Sequence, residues 1–543
     1  MAGPGAPAAG GGQAMGGSSR PAGNQPALAR TYADRDASLM GSRAGQQLRP
    51  SSPVPGKTYS GPGAAATASK AGTTTVLADD PVLHLARRFT MGPTPALVAE
   101  IRAAGIDRWI SRQLAPNSIP LTQGERMAES MPTRGKAPGE LVITREDRKT
   151  GELPDLEAIL ATTAKQLWSD RQMFEVMVDF WNDLLHVADP HPGIVATRAS
   201  FDTDVIRKYA LDNYPDMFLA ANRHPALLAY LSQDQSGKDA VNENLARENL
   251  ELFTVGVDGG YTEADVRQAA LLQTGRQIRG QEFFYNERVH YVGAVEIMGF
   301  KHPNASAAGG LEAGDAYLRH LAMHPSTALR VATQLCLQFV SDVPPKSLVD
   351  RLADTYLKNK GQVIPVLLAL LSSSEFWASV GQKVRRPMEQ LVATYRILDV
   401  QPGSQADLKP GLTGLYETMR EFGQWPMGQP TPNGYPRVFV AWTSPGAMVS
   451  QWNEAGEVLA GARKEFRCTK PEELLAGQPP ATAGAYLDAL AERLVFGRLR
   501  TGDRAAVLRI AGVAEGDHVD ASFNGSITAV ARTILASPQH TLK

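Results

Sequence analysis

A chain of 543 residues, 43% of them hydrophobic, is long enough to bury a large apolar core in one or two domains. Its 55 Lys and Arg residues are balanced by 56 Asp and Glu residues, which gives a formal net charge of -1 at pH 7. The chain as a whole therefore has no positive charge that would attract nucleic acid or an anionic membrane. The two cysteines, Cys336 and Cys468, indicate neither a disulfide framework nor a cysteine-based zinc cluster.

The first 77 residues are rich in Gly, Ala, Pro and Ser and carry no sustained hydrophobic period. Such a composition cannot offset the entropy lost on ordering, so we predict a disordered N-terminal tail over residues 1–77. Its opening sequence, MAGPGAPAAGGGQAMGGSSR, holds no continuous apolar stretch, and no signal peptide is legible there. The most apolar run, VIPVLLALL at 363–371, is too short to cross a bilayer and predicts a buried helix rather than a transmembrane segment.

Helical periodicity dominates the rest of the chain. Thr94-Pro95 is an N-cap followed by proline at the first helical position, and Gly105 ends that helix. Apolar residues spaced three and four apart predict further helices over 155–166, 170–187, segments of 201–233, 310–323, 326–340, 346–358, 363–380, 386–398, 410–421 and 445–461. We predict one main helical domain over residues 78–470 and a helical cap packed on it over residues 471–543.

One region has the composition of a sheet. FFYNERVHY at 283–291 and AVEIMGF at 294–300 flank Val292-Gly293, which predicts a short β-hairpin with its turn at these two residues. The predicted fold class is therefore all-α with a small β-hairpin.

The stretch NENLARENLELFTVGVDGGYTEADVRQAALLQ at 242–273 concentrates polar residues on one helix face. Four of them fall at i, i+3, i+4 and i+7, and we name this face the seam: Asn244, Arg247, Glu248 and Glu251. The opposite face is apolar and predicts burial of Ala246, Leu250 and Phe253.

A turn and a second helix follow the seam. Gly256 and Gly259-Gly260 supply residues that tolerate positive φ. Thr262 is placed to cap the second helix, with Asp265 at its third position in a capping box. The stretch therefore predicts two helices joined by a glycine-rich turn.

Two interpretations of the seam remain open. In the first, Glu248 and Glu251 are paired carboxylates for acid–base catalysis, Arg247 binds a substrate carboxylate, phosphate or sulfate, and His290 or Asp265 supports them. In the second, Arg247 forms an ion pair with Glu243, and the remaining seam residues hold neighbouring helix ends and loops in place.

The histidines raise the question of a metal site. His191, His224, His302 and His324 each precede a proline, which is typical of a helix entry or turn. The alternative is a mixed nitrogen and oxygen site built from His224, His290 and His324 with a seam or capping carboxylate. The chain contains no HExxH, paired CxxC or HxH pattern, so no metal motif and no cofactor can be recognised.

An aromatic, proline-rich segment at 423–442, GQWPMGQPTPNGYPRVFVAW, is a candidate ligand surface. Trp425 and Tyr435, with Trp442 and Trp452 close by in sequence, fit either a platform for sugar rings or a peptide, or turns packed on the core. Asn244 and His224 are the other ligand-binding candidates.

A short basic run lies immediately before Pro387. Lys383, Arg385 and Arg386 are interpreted as a solvated helix entry.

The motifs, taken together, resemble one family. DPVLHLARRFTMGPT, MVDFWNDLLHV, HPALLAYL, NENLARENLELFTVGVDGGYTEADV, HYVGAVEIMGF, HPSTALRVATQLCLQFV and NGYPRVFVAW follow one another over roughly residues 80–535 in the order seen in the bacterial domain-of-unknown-function family numbered 1800. The resemblance implies an all-helical protein, often exported, whose gene often lies beside that of a phosphatase- or sulfatase-like protein. It also implies histidine at two positions that hold Leu184 and Phe253 in this chain.

The resemblance brings no agreed activity, so two hypotheses follow. The first is an accessory or assembly factor that binds an envelope partner or a glycan through its aromatic loops. The second is a hydrolase-type acid–base enzyme that uses Glu248, Glu251 and Arg247. The replacement of two family histidines favours the first, because any metal that they bind in relatives would be lost here.

Overall fold

The structure is a computed structural model that describes residues 76–150, 153–475, 480–520 and 523–543. The predicted N-terminal tail, residues 1–77, lies outside the described residues except for its last two. Within the described residues, regular structure consists of 24 α-helices, several short 3₁₀ and π turns, and three two-stranded sheets. The prediction of a mostly helical fold is confirmed.

The helices before the sheet region are α1 Pro81–Phe89, α2 Pro95–Ala104, α3 Ile106–Gln113, α4 Gln123–Glu129, α5 Arg145–Thr150, α6 Pro154–Trp168, α7 Gln172–Leu184, α8 Arg198–Ser200, α9 Tyr214–Ala221, α10 Pro225–Tyr230, α11 Asn244–Glu248 and α12 Glu263–Leu272. Those after it are α13 Gly310–Ala322, α14 Pro325–Phe339, α15 Lys346–Lys358, α16 Val363–Leu371, α17 Ser374–Trp377, α18 Pro387–Ile397, α19 Gln405–Glu421, α20 Pro445–Leu459, α21 Ala483–Val495, α22 Thr501–Ala511, α23 Asn524–Leu535 and α24 Pro538–Thr541. The ten predicted helical segments each coincide with one or more of these helices.

Helix starts follow the side-chain caps that the sequence provides. Thr94 Oγ1 accepts a hydrogen bond from the backbone N–H of Leu97 at 3.2 Å, and α2 begins with Pro95 as predicted. At α12, the Asp265 carboxylate accepts from the Thr262 backbone N–H at 2.8 Å, while Thr262 Oγ1 accepts from the Asp265 N–H at 3.2 Å. This reciprocal capping box fixes the position at which the chain leaves the glycine turn.

The predicted hairpin around Val292-Gly293 is wrong. Two separate antiparallel hairpins are present: β1 Arg276–Arg279 pairs with β2 Glu282–Tyr285, and β3 Val295–Ile297 pairs with β4 Phe300–His302. A third, two-residue pair joins β5 Gln401–Pro402 to β6 Phe466–Arg467.

The turns of the two hairpins explain the error. Gly280 and Gln281 have φ of 59° and 72°, and Met298 and Gly299 have φ of 45° and 82°, so both two-residue loops have the positive φ values that hairpin turns favour. Neither pair is the Asn-Gly or Asp-Gly that marks such a turn in a sequence.

One continuous apolar cluster joins most of the helices. It runs from Leu85 on α1 to Leu535 on α23 and therefore includes both the main body and the segment predicted as a cap. Trp181 lies at its centre, fully buried, with its Nε1–H donating to the Ala210 carbonyl at 2.8 Å and its ring stacked on Tyr214 at 5.2 Å. Within the described residues, no helix combines the length and the apolar character needed to span a membrane.

Candidate functional site

The seam lies on a helix that changes type halfway along. It begins as α11, Asn244–Glu248, and continues as a π-helical turn over Asn249–Phe253, where the sequence predicts a single α-helix. The apolar face is buried as predicted, with Leu245, Ala246, Leu250 and Phe253 at most 1% exposed. π turns inside helices are frequent at functional sites because they redirect side chains.

A buried amide cluster holds the π turn in place. Asn249 Nδ2 donates to Asn222 Oδ1 at 2.7 Å and to Gln273 Oε1 at 2.9 Å, and all three side chains are fully buried. The cluster joins the seam helix to α12 and to the end of α9. The sequence pattern did not single out Asn249, because it lies between the polar and apolar faces.

Arg247 is committed to ion pairs. Its guanidinium donates to both Glu263 carboxylate oxygens at 2.8 Å and lies 3.4 Å from the Glu243 carboxylate. The predicted pair with Glu243 is thus present, and the shorter one to Glu263 joins the seam to the first turn of α12. These bonds, with the neighbouring carboxylates, raise the pKa of Arg247.

Glu251 is engaged with the turn. Its carboxylate accepts a hydrogen bond from the Tyr261 hydroxyl at 2.9 Å, and burial, with this hydrogen bond, raises the pKa of Tyr261 to about 12. The bond between Glu251 and Tyr261 therefore closes the turn between the two helices.

Asn244, the first seam residue, is exposed, and its backbone N–H donates to Asn242 Oδ1 at 2.9 Å.

Glu248 differs from the other seam residues. No hydrogen bond to its carboxyl group comes from any residue that the structure describes, and the side chain is half-buried. Burial, with the nearby Glu251 carboxylate, raises the pKa of Glu248 to about 7 despite the opposing charge of Arg247. At neutral pH it is a carboxyl group able both to donate and to accept a proton.

Asp265 and His290 serve other contacts. Besides capping α12, Asp265 accepts from the backbone N–H of Met298 at 2.8 Å; burial opposes its ionisation, but these hydrogen bonds lower its pKa. His290 is 1% exposed and bonds the Thr274 carbonyl at 2.8 Å and Asn304 Oδ1 at 3.0 Å. In the described structure neither side chain hydrogen-bonds a seam residue.

His224 caps a helix. Its Nδ1 accepts from the Ala226 N–H at 3.1 Å at the start of α10, which leaves Nε2–H to donate to Ser200 Oγ at 3.2 Å. Burial, with the nearby charge of Arg198, lowers the pKa of His224 to about 3, so the ring is neutral. Its position is the helix entry that the following proline predicted.

Two clefts lie away from the seam. One of about 430 Å³ is lined by the starts of α2 and α4 and by Trp168, Arg396 and Arg493. Another of about 330 Å³ lies beside Lys136, Glu157 and Lys409. The seam itself faces outward beside Tyr230, whose hydroxyl donates to the Pro430 carbonyl at 3.3 Å. The Glu248 carboxylate acts on Tyr230 electrostatically, so Tyr230 lies near the seam and also contacts the proline-rich segment.

Trp425 and Tyr435 do not present open ring faces. Tyr435 is 6% exposed, its backbone N–H donates to Asp183 Oδ1 at 3.2 Å, and its ring lies 5.8 Å from that of Trp442. Trp425 is half-buried against Tyr416, with ring centroids 6.4 Å apart. The exposed apolar side chains of this part of the chain come later, at Phe439, 41% exposed, and Val440, 76% exposed.

A buried ionic cluster lies beneath the same loop. Arg386 donates to Asp183 at 2.7 Å and to Asp179 at 2.5 Å, and Glu389 accepts from Lys543 Nζ at 2.8 Å with both oxygens. Burial raises the pKa of Asp179 to about 6, whereas the lysine and the arginine hold the pKa of Glu389 well below its ordinary value against the effect of burial.

The interpretation of the basic run as a solvated helix entry is wrong. Lys383, Arg385 and Arg386 are 3%, 6% and 4% exposed. Arg386 and its partner Asp179 are 207 residues apart in sequence, so no local pattern shows that they pair. The only sequence feature at this position is the basic run itself, and its sequence does not show whether the side chains are exposed or buried.

Within the described residues, no group of three or more His, Cys, Asp or Glu side chains is arranged to hold a metal ion. The two positions at which the resemblance implies histidine hold buried apolar side chains, Leu184 at 4% and Phe253 at 0% exposed.

The structure thus defines a large helical protein with a carboxylate-bearing seam over a π turn and an ionic cluster in its core. The family model described as "Protein of unknown function (DUF1800)" matches residues 84–542. The chain belongs to this family, as the motifs indicated. No curated protein matches the chain. No solved structure matches it.

Proposed function

We propose that the chain is an accessory factor that binds a protein partner, of the bacterial envelope or associated with it, through exposed apolar side chains around residues 439–452. The observation that carries this proposal is a concentration of exposed apolar side chains. Of the eleven large ones exposed by the described residues, five belong to what we name the apolar strip: Val343, Phe439, Val440, Val449 and Trp452. Clusters of this kind are typical of protein contact sites.

Two members of the strip, Val343 and Phe439, come from separate parts of the chain. The backbone N–H of Phe439 donates to Asp342 Oδ2 at 2.6 Å, which places Val343, 86% exposed, beside the loop. Val449 and Trp452 are one turn apart on α20 and so share a helix face. The strip therefore combines a loop, a helix face and a neighbouring turn.

The chemistry of the strip favours a protein over a glycan. Sugar binding requires hydrogen-bonding groups placed around an aromatic face. Four of the five strip side chains are hydrocarbon and offer none, Trp452 offers only its indole N–H, and Tyr435 lies below the surface. A hydrophobic protein surface is the better complement.

The phosphatase- or sulfatase-like protein that the resemblance implies as a genetic neighbour is the partner to test first. We expect the purified pair to form a complex, and the double substitution Phe439→Ser with Val440→Ser to weaken it at least tenfold, as measured by isothermal titration calorimetry. Val257→Ser with Ile510→Ser is the matched control, because these side chains are 65% and 64% exposed elsewhere. Equal affinities for the wild type and the strip variant would refute this binding surface.

A second candidate function, hydrolase-type acid–base catalysis, is favoured by Glu248 alone. A half-buried carboxyl group with its pKa raised to about 7 is suited to proton transfer at neutral pH. The test is hydrolysis of chromogenic phosphate, sulfate and carboxylic esters by the wild type and by Glu248→Gln. If Glu248 is the catalytic acid or base, Glu248→Gln should lower kcat by a factor of about 10² to 10⁴. Activity that survives Glu248→Gln would exclude this role.

A further inference from the structure

A small cavity lies beside Arg385 of the basic run. It has a volume of about 10 Å³ and is bounded by the end of α1, the start and body of α18, the end of α21 and the last helix, α24. Its polar lining consists of Arg87, Arg385, Gln539 and His540, and the remaining lining residues are apolar or proline. A space of this size holds one water molecule or one monatomic ion.

Two of the lining side chains bring unused hydrogen-bonding atoms into this space. Arg87 is 3% exposed; its Nη2 donates to the Val495 carbonyl at 3.2 Å, but its Nη1 has no hydrogen-bond partner among the described residues. Gln539 is 4% exposed, and neither Nε2 nor Oε1 has a partner among those residues. Buried donors without an acceptor are rare in folded proteins, because their loss of solvation is not compensated.

The lining is also positively charged. Arg385, 6% exposed, directs Nη1 to the carbonyl oxygens of His540 and Leu542, which are uncharged acceptors. No carboxylate lines the cavity. Glu389, the acid that acts on Arg385 electrostatically, is already paired with Lys543 and Arg386.

His540 adds no charge to the cavity. Its Nε2 lies 3.0 Å from Thr394 Oγ1, and burial, with repulsion from Arg385 and Arg87, holds its pKa well below the ordinary value. The acid that acts on Arg87 electrostatically is Asp80, which is itself paired with Arg102 at 2.7 Å. Two guanidinium charges therefore face a space that no anionic side chain enters.

We propose that this cavity binds one chloride ion, held by Arg87 Nη1, the Arg385 guanidinium and Gln539 Nε2. A water molecule would satisfy Gln539 Oε1 but would leave both positive charges without a counterion. Sulfate and phosphate are too large for a space of about 10 Å³. The ion links α1 and the basic run to α24, so it ties the last helix to the body of the protein.

The site is tested directly with bromide, which replaces chloride and scatters anomalously. Crystals of the full chain grown in sodium bromide should give an anomalous difference peak between Arg87, Arg385 and Gln539. A cavity without such a peak, occupied by solvent density alone, overturns the proposal.

The stabilising role of the ion is tested in solution. We expect the thermal unfolding midpoint of the wild type to rise by about 2–3 °C from sodium gluconate to sodium chloride at equal ionic strength. Gln539→Glu supplies a carboxylate of its own and should be as stable in gluconate as the wild type in chloride. Arg87→Met should lose the chloride response, whereas Arg108→Met, at an exposed position, should keep it.

The variants and the salts together distinguish bound chloride from water in the cavity and from general salt effects. A Gln539→Glu variant that still responds to chloride overturns the assignment, since its own carboxylate would already fill the role. Identical thermal unfolding midpoints of the wild type in sodium gluconate and in sodium chloride overturn the chloride assignment as well. An equal response to sodium sulfate would point to general screening rather than to this cavity, and would also count against the site.

Discussion

At the scale of single residues, Glu248 has the most unusual environment in the seam. Its pKa is raised from 4.5 to about 7, so the folded state holds the proton that the unfolded chain releases. Between about pH 4.5 and pH 7 the unfolded state ionises first, and stability falls as the pH rises. Because the group is partly exposed, we expect a loss of about 1 kcal/mol over this range.

Glu248→Gln should remove this dependence, since an amide does not ionise. Urea unfolding at pH 5 and pH 8 should show the variant gaining about 1 kcal/mol over the wild type at the higher pH. Glu312→Gln, at an exposed position on α13, is the control and should follow the wild type. If Glu248→Gln and the wild type have the same pH profile, the carboxyl group is ionised in the folded protein and is unsuited to proton transfer.

At the scale of elements, the π turn depends on one amide. Asn249→Ala removes a fully buried side chain and, with it, three hydrogen bonds, two to the Asn222 amide and one to the Gln273 amide. We expect a loss of about 2–3 kcal/mol in the free energy of unfolding, measured by urea titration.

Asn244→Ala is the matched control on the same helix. Its side chain is exposed, so its removal should change stability by less than about 0.5 kcal/mol. Equal effects of the two substitutions would show that the amide cluster does not hold the π turn.

The elements also show where sequence reasoning works. Thr94 and Thr262 cap their helices as predicted, because a cap and the first helical turn are neighbours in sequence. The hairpin prediction failed because β1, with the sequence RQIR, lacks the apolar alternation of a strand and its turn is Gly280-Gln281. The pairing of β1 with β2 depends on the positive φ values of the two turn residues, which the residue types in this turn do not predict.

At the scale of the whole molecule, contacts between segments far apart in sequence determine features that local sequence patterns do not predict. The apolar faces of the helices predicted the core, but Asp179 and Asp183, two partners of Arg386, lie on α7, more than 200 residues earlier. The same limit applies to the seam: its residues were predicted, whereas the ion pair of Arg247 with Glu263 depends on the packing of α11 against α12. The partial burial of Glu248 likewise follows from the fold and not from a local pattern.

Glu389 offers a test of this long-range organisation. It accepts from Lys543 and Arg386 in the core, so Glu389→Gln leaves the buried ammonium of Lys543 without its acid, while Arg386 keeps its pairs with Asp179 and Asp183. We expect a loss of about 3–5 kcal/mol at pH 7, measured by urea unfolding. The lowered pKa of Glu389 means that its contribution is present above about pH 4.5 and is lost as the pH falls, so the wild type and the variant should converge in acid.

Hydrogen exchange locates the effect. The backbone N–H of Lys543 donates to the Lys383 carbonyl at 2.8 Å, and that of Arg385 donates to the Thr541 carbonyl at 2.9 Å, so these amides report the docking of α24. We expect them to exchange faster in Glu389→Gln than in the wild type, and to be unchanged in Glu421→Gln, an exposed control on α19. Unchanged exchange at both amides in Glu389→Gln would mean that the apolar contacts of the last helices, and not the ionic cluster, fix the end of the chain to the core.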